Sequence, residues 1–233
     1  MMNNLPSSML PDDETSDDEP IHGVGGLIDA LLRQPRRVIR QLRDETSGSV
    51  TSSLLMIAIG LVAIYGVMVG SFSGGAQWWA APAKIAAGLV ITGTICLPSL
   101  YIFACLSGST ARLGEVAGTL AGLLALMAVL LLGFSPVAWL FSQSTASVAT
   151  MGFLHLVFWL VAARFGVRFL MTAFEHFELK SRAGVRTWVV IFLLVSLQMT
   201  AALRPLVGTS NTLLPQEKKF FVGHWLDCLA TRP

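Results

Sequence analysis

Apolar residues do not alternate with polar ones along most of this chain; they run together. Five apolar stretches stand out, at about residues 50–72, 81–106, 113–141, 148–171 and 187–206, separated by short connections. Each is close to or above the ~20 residues that a helix needs to cross a hydrocarbon layer ~30 Å thick. None carries the polar stripe that a helix of a soluble protein keeps toward water. The pattern predicts an all-α integral membrane protein with five transmembrane helices in a bundle over residues 50–208. The third stretch is long enough to tilt, or to leave the membrane near Pro136.

The flanks differ from this domain. Residues 1–20 are polar and carry Asp12, Asp13, Glu14, Asp17, Asp18 and Glu19, which reads as a disordered acidic tail. They lack the basic start and apolar core of a signal peptide. In residues 21–49, Val24, Leu27, Leu31, Val38 and Leu42 fall near helical spacing, while Arg33, Arg36, Arg37, Arg40 and Arg43 form a basic face. Pro35 lacks an amide hydrogen and should break this segment into two halves. It reads as an amphipathic juxtamembrane helix lying on an anionic membrane surface. Residues 209–233, with Phe220, Phe221, Trp225, Leu226 and Leu229, read as a short aromatic interfacial segment.

Composition agrees: 54% of residues are hydrophobic and 13% charged, against about 25% charged in a typical soluble domain. The distribution of charge then gives a topology. The connection before the first stretch holds five arginines, the second-to-third connection Arg112, and the fourth-to-fifth Lys180, Arg182 and Arg186. The other two connections, within "SFSGGAQWWA" and "SQSTASVA", hold no basic residue. Basic connections on alternate sides place the N-terminus in the cytoplasm and the C-terminus outside. Trp78, Trp79 and Trp139 fall near the outer boundary, Trp188 at the inner start of the fifth stretch, and Lys84 is placed to snorkel outward. There is no basic field with interleaved aromatics, so nucleic acid is not an expected partner.

Candidate chemistry is sparse. No HExxH, GxSxG or P-loop motif is present, and no cofactor, metal or catalytic group is expected. Gly66 and Gly70, and Gly114, Gly118 and Gly122, stand at the four-residue spacing that lets helices approach closely. Packing within one chain and a homo-oligomer interface are both open readings, the first favoured. Pro98 should bend the second stretch. Glu115 is spaced to pair with Arg112, and Arg164 and Arg168 share a face pointing toward the inner headgroups. His155 is either a proton relay or a hydrogen-bonded packing residue, the second being the commoner outcome. In the fifth stretch Thr200 lies one turn before Arg204, Pro205 stops the helix, and Gln198 completes the polar set.

Two segments carry a family resemblance. "LQMTAALRPLVG" resembles the last span of bacterial membrane proteins related to the Yip1 domain, and "LLRQPRRVIRQL" resembles the proline-centred segment before their first span. The likeness covers about residues 27–208 and includes the five spans. It implies a non-catalytic component of a membrane transport, trafficking or envelope complex in the bacterial inner membrane. The partners expected are the lipid bilayer and another membrane protein or a second copy. The rival expectation is a transporter or channel subunit with a polar path near Pro98, His155 and Gln198.

Overall fold

In lipid, a backbone without water must close its hydrogen bonds internally, and a helix does so within one segment. The computed structural model describes residues 21, 23–43, 47–73, 77–144 and 148–202. Among them every element is a helix: α1 (Gly23–Arg33), α2 (Pro35–Gln41), α3 (Ser47–Ser73), α4 (Gln77–Leu106), α5 (Leu113–Ser144), α6 (Val148–His176) and α7 (Ala183–Ala202). The last five are each long and apolar enough to cross a membrane. The acidic segment 1–20 and the stretch 203–233, with Arg204 and Pro205, lie outside the described residues.

α5 is the centre of the bundle. It packs against α3 and α6, more lightly against α4, and touches α1; α7 rests on α4 with a slight contact to α6. Small residues set these distances. A β-carbon on Gly122 would lie 2.6 Å from Cε1 of Phe169 on α6, and one on Gly118 would lie 2.7 Å from Oγ1 of Thr51 on α3. One on Gly66 would lie 2.6 Å from Cα of Pro82, which puts the α3 and α4 backbones against each other. α5 does not stop at Pro136 but runs on to Ser144. The proline removes the amide that would bond the Leu132 carbonyl, and the Ser135 hydroxyl donates to that carbonyl instead.

The ends of the helices explain how one face of the bundle is closed. α4 finishes in a Schellman cap: Ser109 N–H donates to Ala104 O at 3.1 Å and Gly108 N–H to Cys105 O at 3.0 Å, with Gly108 at φ 75°. α6 finishes similarly, Leu179 N–H donating to Phe174 O at 3.3 Å with Glu178 at φ 55°. The two caps then grip each other. Lys180 and Ser181 N–H donate to Ser107 O at 3.2 and 3.1 Å, while Thr110 N–H donates to Phe177 O at 3.3 Å. The carbonyl of the residue just past each helix is thus satisfied by the other hairpin's loop, in a reciprocal clasp. α5 opens with half a capping box, in which Glu115 accepts from the Arg112 amide at 2.7 Å. The expected pairing of these two residues is therefore to the backbone rather than to the guanidinium.

α1 and α2 sit at the clasp end. α1 stops at Arg33 and α2 restarts at Pro35, where a proline at the first helical position has no amide to waste. Their apolar face does not lie open to lipid as an interfacial helix would have it: Leu27, Leu31, Val38, Ile39 and Leu42 are all buried in the common core. Leu42 fills the space left by Gly118. Val24 stays exposed.

Candidate functional site

Among the described residues, three sites bring polar side chains of different helices together. The first is a cleft at the clasp end. Because Pro35 restarts the helix and Val38, Ile39 and Leu42 pin it to the core, Arg36 and Arg40 fall one turn apart on the same side of α2. They face Thr172, Glu175 and His176 on α6 across a cavity of about 480 Å³, floored by Ile39. Glu175 is engaged by Arg182 at 2.9 Å, and the Thr172 hydroxyl donates to Arg168 O at 3.0 Å. Of the other arginines in this segment, Arg33 pairs with Asp29 at 2.9 Å in the open, Arg37 is half-buried, and Arg43 is exposed.

The second is a pair between α3 and α6. The Tyr65 hydroxyl and His155 Nδ1 are hydrogen-bonded at 2.6 Å, with the rings edge to face at 5.7 Å. Phe158 lies edge-on to His155 and stacks on Phe134 of α5 at 4.8 Å. Nε2 of His155 is buried and makes no hydrogen bond. With one side chain on each helix and no third polar partner on the ring, the pair ties two helices together.

The third is a seam between α4 and α7. Trp188 is fully buried, and its indole N–H donates to Cys96 O and Ser99 Oγ, both at 3.1 Å. The Ser99 hydroxyl donates to the same carbonyl at 2.9 Å, and Phe192 stacks on the indole at 5.2 Å. Trp188 thus lies near the start of α7 with its ring turned into the bundle, where its N–H finds the Cys96 carbonyl. Lys84 is also buried.

The residues singled out in the sequence divide accordingly. Gly66, Gly70, Gly118 and Gly122 are buried, while Gly114 is exposed with open space where a β-carbon would go. Pro98 and Gln198 are exposed, on α4 and α7, and Arg164 and Arg168 are exposed on α6. Among the described residues no hydrogen bond joins any two of Pro98, His155 and Gln198. Tyr65 and Trp188 are the two residues that sequence reasoning missed as partners. No group of three His, Cys, Asp or Glu converges among the described residues.

The fold defines an all-helical protein with five helices suited to cross a membrane. Compared with known proteins, the chain matches no family, no curated protein and no solved structure.

Proposed function

We propose that this is a non-catalytic multi-span membrane protein acting as a scaffold or accessory component of a membrane transport, trafficking or envelope complex. The observation that carries the reading is how the polar groups inside the bundle are used. Tyr65 binds His155, Trp188 and Ser99 bind the Cys96 carbonyl, and Thr119 and Ser135 bind carbonyls of their own helix. A solute path needs polar groups left facing a common lumen. Here the Tyr65–His155 and Trp188–Ser99–Cys96 bonds join helices, and Thr119 and Ser135 turn back onto α5. The buried atoms left without a bond, among them His155 Nε2 and Thr51 Oγ1, belong to separate residues rather than to one bonded path. The rival transporter reading keeps Pro98, His155 and Gln198 as its path. Unchanged flux in proteoliposomes after His155→Ala and Gln198→Ala removes it.

The same reading places the chain in a bacterial inner membrane, clasp end inward. Its support is the charge at that end, where α1, α2 and both basic connections collect, since cytoplasmic connections carry the excess of Lys and Arg. The Yip1-like resemblance belongs to this reading too, with the lead-in segment around Pro35 as its point of contact. Co-purification in mild detergent tests the scaffold role: a partner should travel with the protein. A partner-free monomer in several detergents counts against it. A C-terminal reporter active only in the cytoplasm would overturn the orientation.

A further inference from the structure

We propose that the cleft between α2 and α6 binds the headgroup of one acidic phospholipid, whose acyl chain lies along the exposed face of α6. This goes beyond diffuse attraction of a basic segment to a charged membrane surface: it is a single site with defined walls.

Three observations converge on it. The first is charge. Arg36 and Arg40 line the cavity, and Arg168 stands one turn before Thr172 on the same side of α6. The carboxylate in the wall, Glu175, is already held by Arg182. Arg36 and Arg168 have no carboxylate partner among the described residues. A phosphodiester brings the negative charge that these two call for, and guanidinium groups present the planar fork of donors that fits it.

The second is size and depth. A cavity of about 480 Å³ falls within the ~300–1,000 Å³ of small-molecule sites. The apolar span of α6 is 27 residues, Thr150–His176, whereas the hydrocarbon layer takes ~20. The proposal puts this excess at the clasp end, so that the last turns of α6 stand at the level of the headgroups.

The third separates a lipid from a free anion. Counting back along α6, Thr172, Arg168, Phe165 and Val161 succeed one another at spacings of four, three and four, which keeps them on one face. Phe165 and Val161 are exposed. The stripe thus runs from a basic cleft at the membrane surface to bare apolar side chains toward its middle, as a phosphate with an acyl tail requires. Basic pockets between helices at the membrane surface are a recurrent means of holding acidic lipid headgroups.

The proposal rests on membrane placement and not on the scaffold role, so failure to find a protein partner leaves it standing. The full chain, purified in mild detergent, is titrated with phosphatidylglycerol or phosphatidylcholine of matched chains, reading the melting temperature and the lipid retained in native mass spectrometry. Phosphatidylglycerol should raise the melting temperature and be retained at one per chain; phosphatidylcholine should do neither. The double variant Arg36→Gln/Arg168→Gln should weaken this binding roughly tenfold or more, the loss of two charge-assisted contacts. Arg43→Gln/Arg112→Gln, the same charge change away from the cleft, should leave it unchanged. Equal losses in both double variants would reduce the effect to diffuse charge and overturn the site. Glycerol phosphate matching the lipid's effect at the same concentration would overturn the acyl-chain arm. Should the first double variant melt below wild type in phosphatidylcholine, the comparison is read from Arg36→Gln alone, an exposed residue.

Discussion

α5 and α7 are both apolar helices long enough to cross a membrane, yet they occupy opposite situations. In its most apolar stretch α5 is 72% buried inside the protein, and α7 17%. Hydrophobicity does not separate them, because in lipid an apolar side chain gains little by leaving one apolar surface for another. Closeness does. α5 offers Gly118, Ala121, Gly122, Ala125 and Ala128 to its neighbours, all buried. α7 meets α4 along one seam, where Trp188 bonds to Cys96 and Ser99 with Phe192 stacked on it, and presents Val190 and Leu194 to the outside. The centre is held by shape on several sides; the edge is held by one seam and one clasp.

The largest way to break this contrast is Gly122→Leu. Even a β-carbon there would press on the Phe169 ring at 2.6 Å, and a whole isobutyl group must push α6 away. Overpacking costs ~1–3 kcal/mol where a core can adjust, and here the interface is between two long helices. Folded yield in detergent should collapse. Val190→Ala on α7, which only faces outward, should leave yield and melting temperature unchanged. Equal effects from the two substitutions would erase the distinction between centre and edge.

Next comes Trp188→Ala. It removes the largest buried side chain of the α4–α7 seam and its bonds to Cys96 O and Ser99 Oγ. A truncation of this kind costs about 3 kcal/mol or more in a packed core. Because α7 has little else to hold it, the loss should be local: proteolysis should reach the connection before α7 while α3, α5 and α6 stay assembled. Global unfolding would show that α7 is as integral as α5.

Much of this contrast was open to sequence reasoning, and the reasons for the rest are physical. The spans were legible because length and lack of charge are what a bilayer demands. The close approaches at Gly66, Gly118 and Gly122 were legible because four-residue spacing of glycine makes a groove. Which helix sits at the centre was not, since every span is apolar on all sides. The Tyr65–His155 bond had a readable signal: Tyr65 lies eight residues before the end of α3 at Ser73, His155 seven after the start of α6 at Val148. Two polar aromatics at equal depth in neighbouring spans invite pairing. The buried face of α1 and α2 had none, because an amphipathic pattern looks the same whether it rests on lipid or on the bundle. The cleft escaped for the same reason, being a property of where α2 lands.

A smaller effect sharpens the clasp that holds the start of α7. Glu178 occupies the left-handed position of the α6 cap at φ 55°, which costs an ordinary residue ~1–2 kcal/mol relative to glycine. Glu178→Gly should therefore raise the melting temperature slightly, and trypsin should cut less readily at Lys180 and Arg182. The matching position in the other loop is already Gly108, so Gly108→Ala should act in the opposite sense and by a larger amount. There a β-carbon would also meet Lys180 at 3.0 Å.

The smallest expected effect lies within α5 itself and separates two uses of its glycines. Gly114, Gly118 and Gly122 form one repeat in the sequence, but Gly118 and Gly122 are occupied by Leu42, Thr51 and Phe169, whereas Gly114 meets nothing. Gly114→Ala should therefore change monomer stability by no more than a few tenths of a kcal/mol, or add up to ~1 kcal/mol through better helix propensity. If the first glycine of the repeat serves a second copy of the chain instead, Gly114→Leu should weaken a dimer seen by crosslinking in membranes while the monomer melts as before. A dimer that persists unchanged would leave all of this motif's packing inside one chain, and would make the central position of α5 its whole purpose.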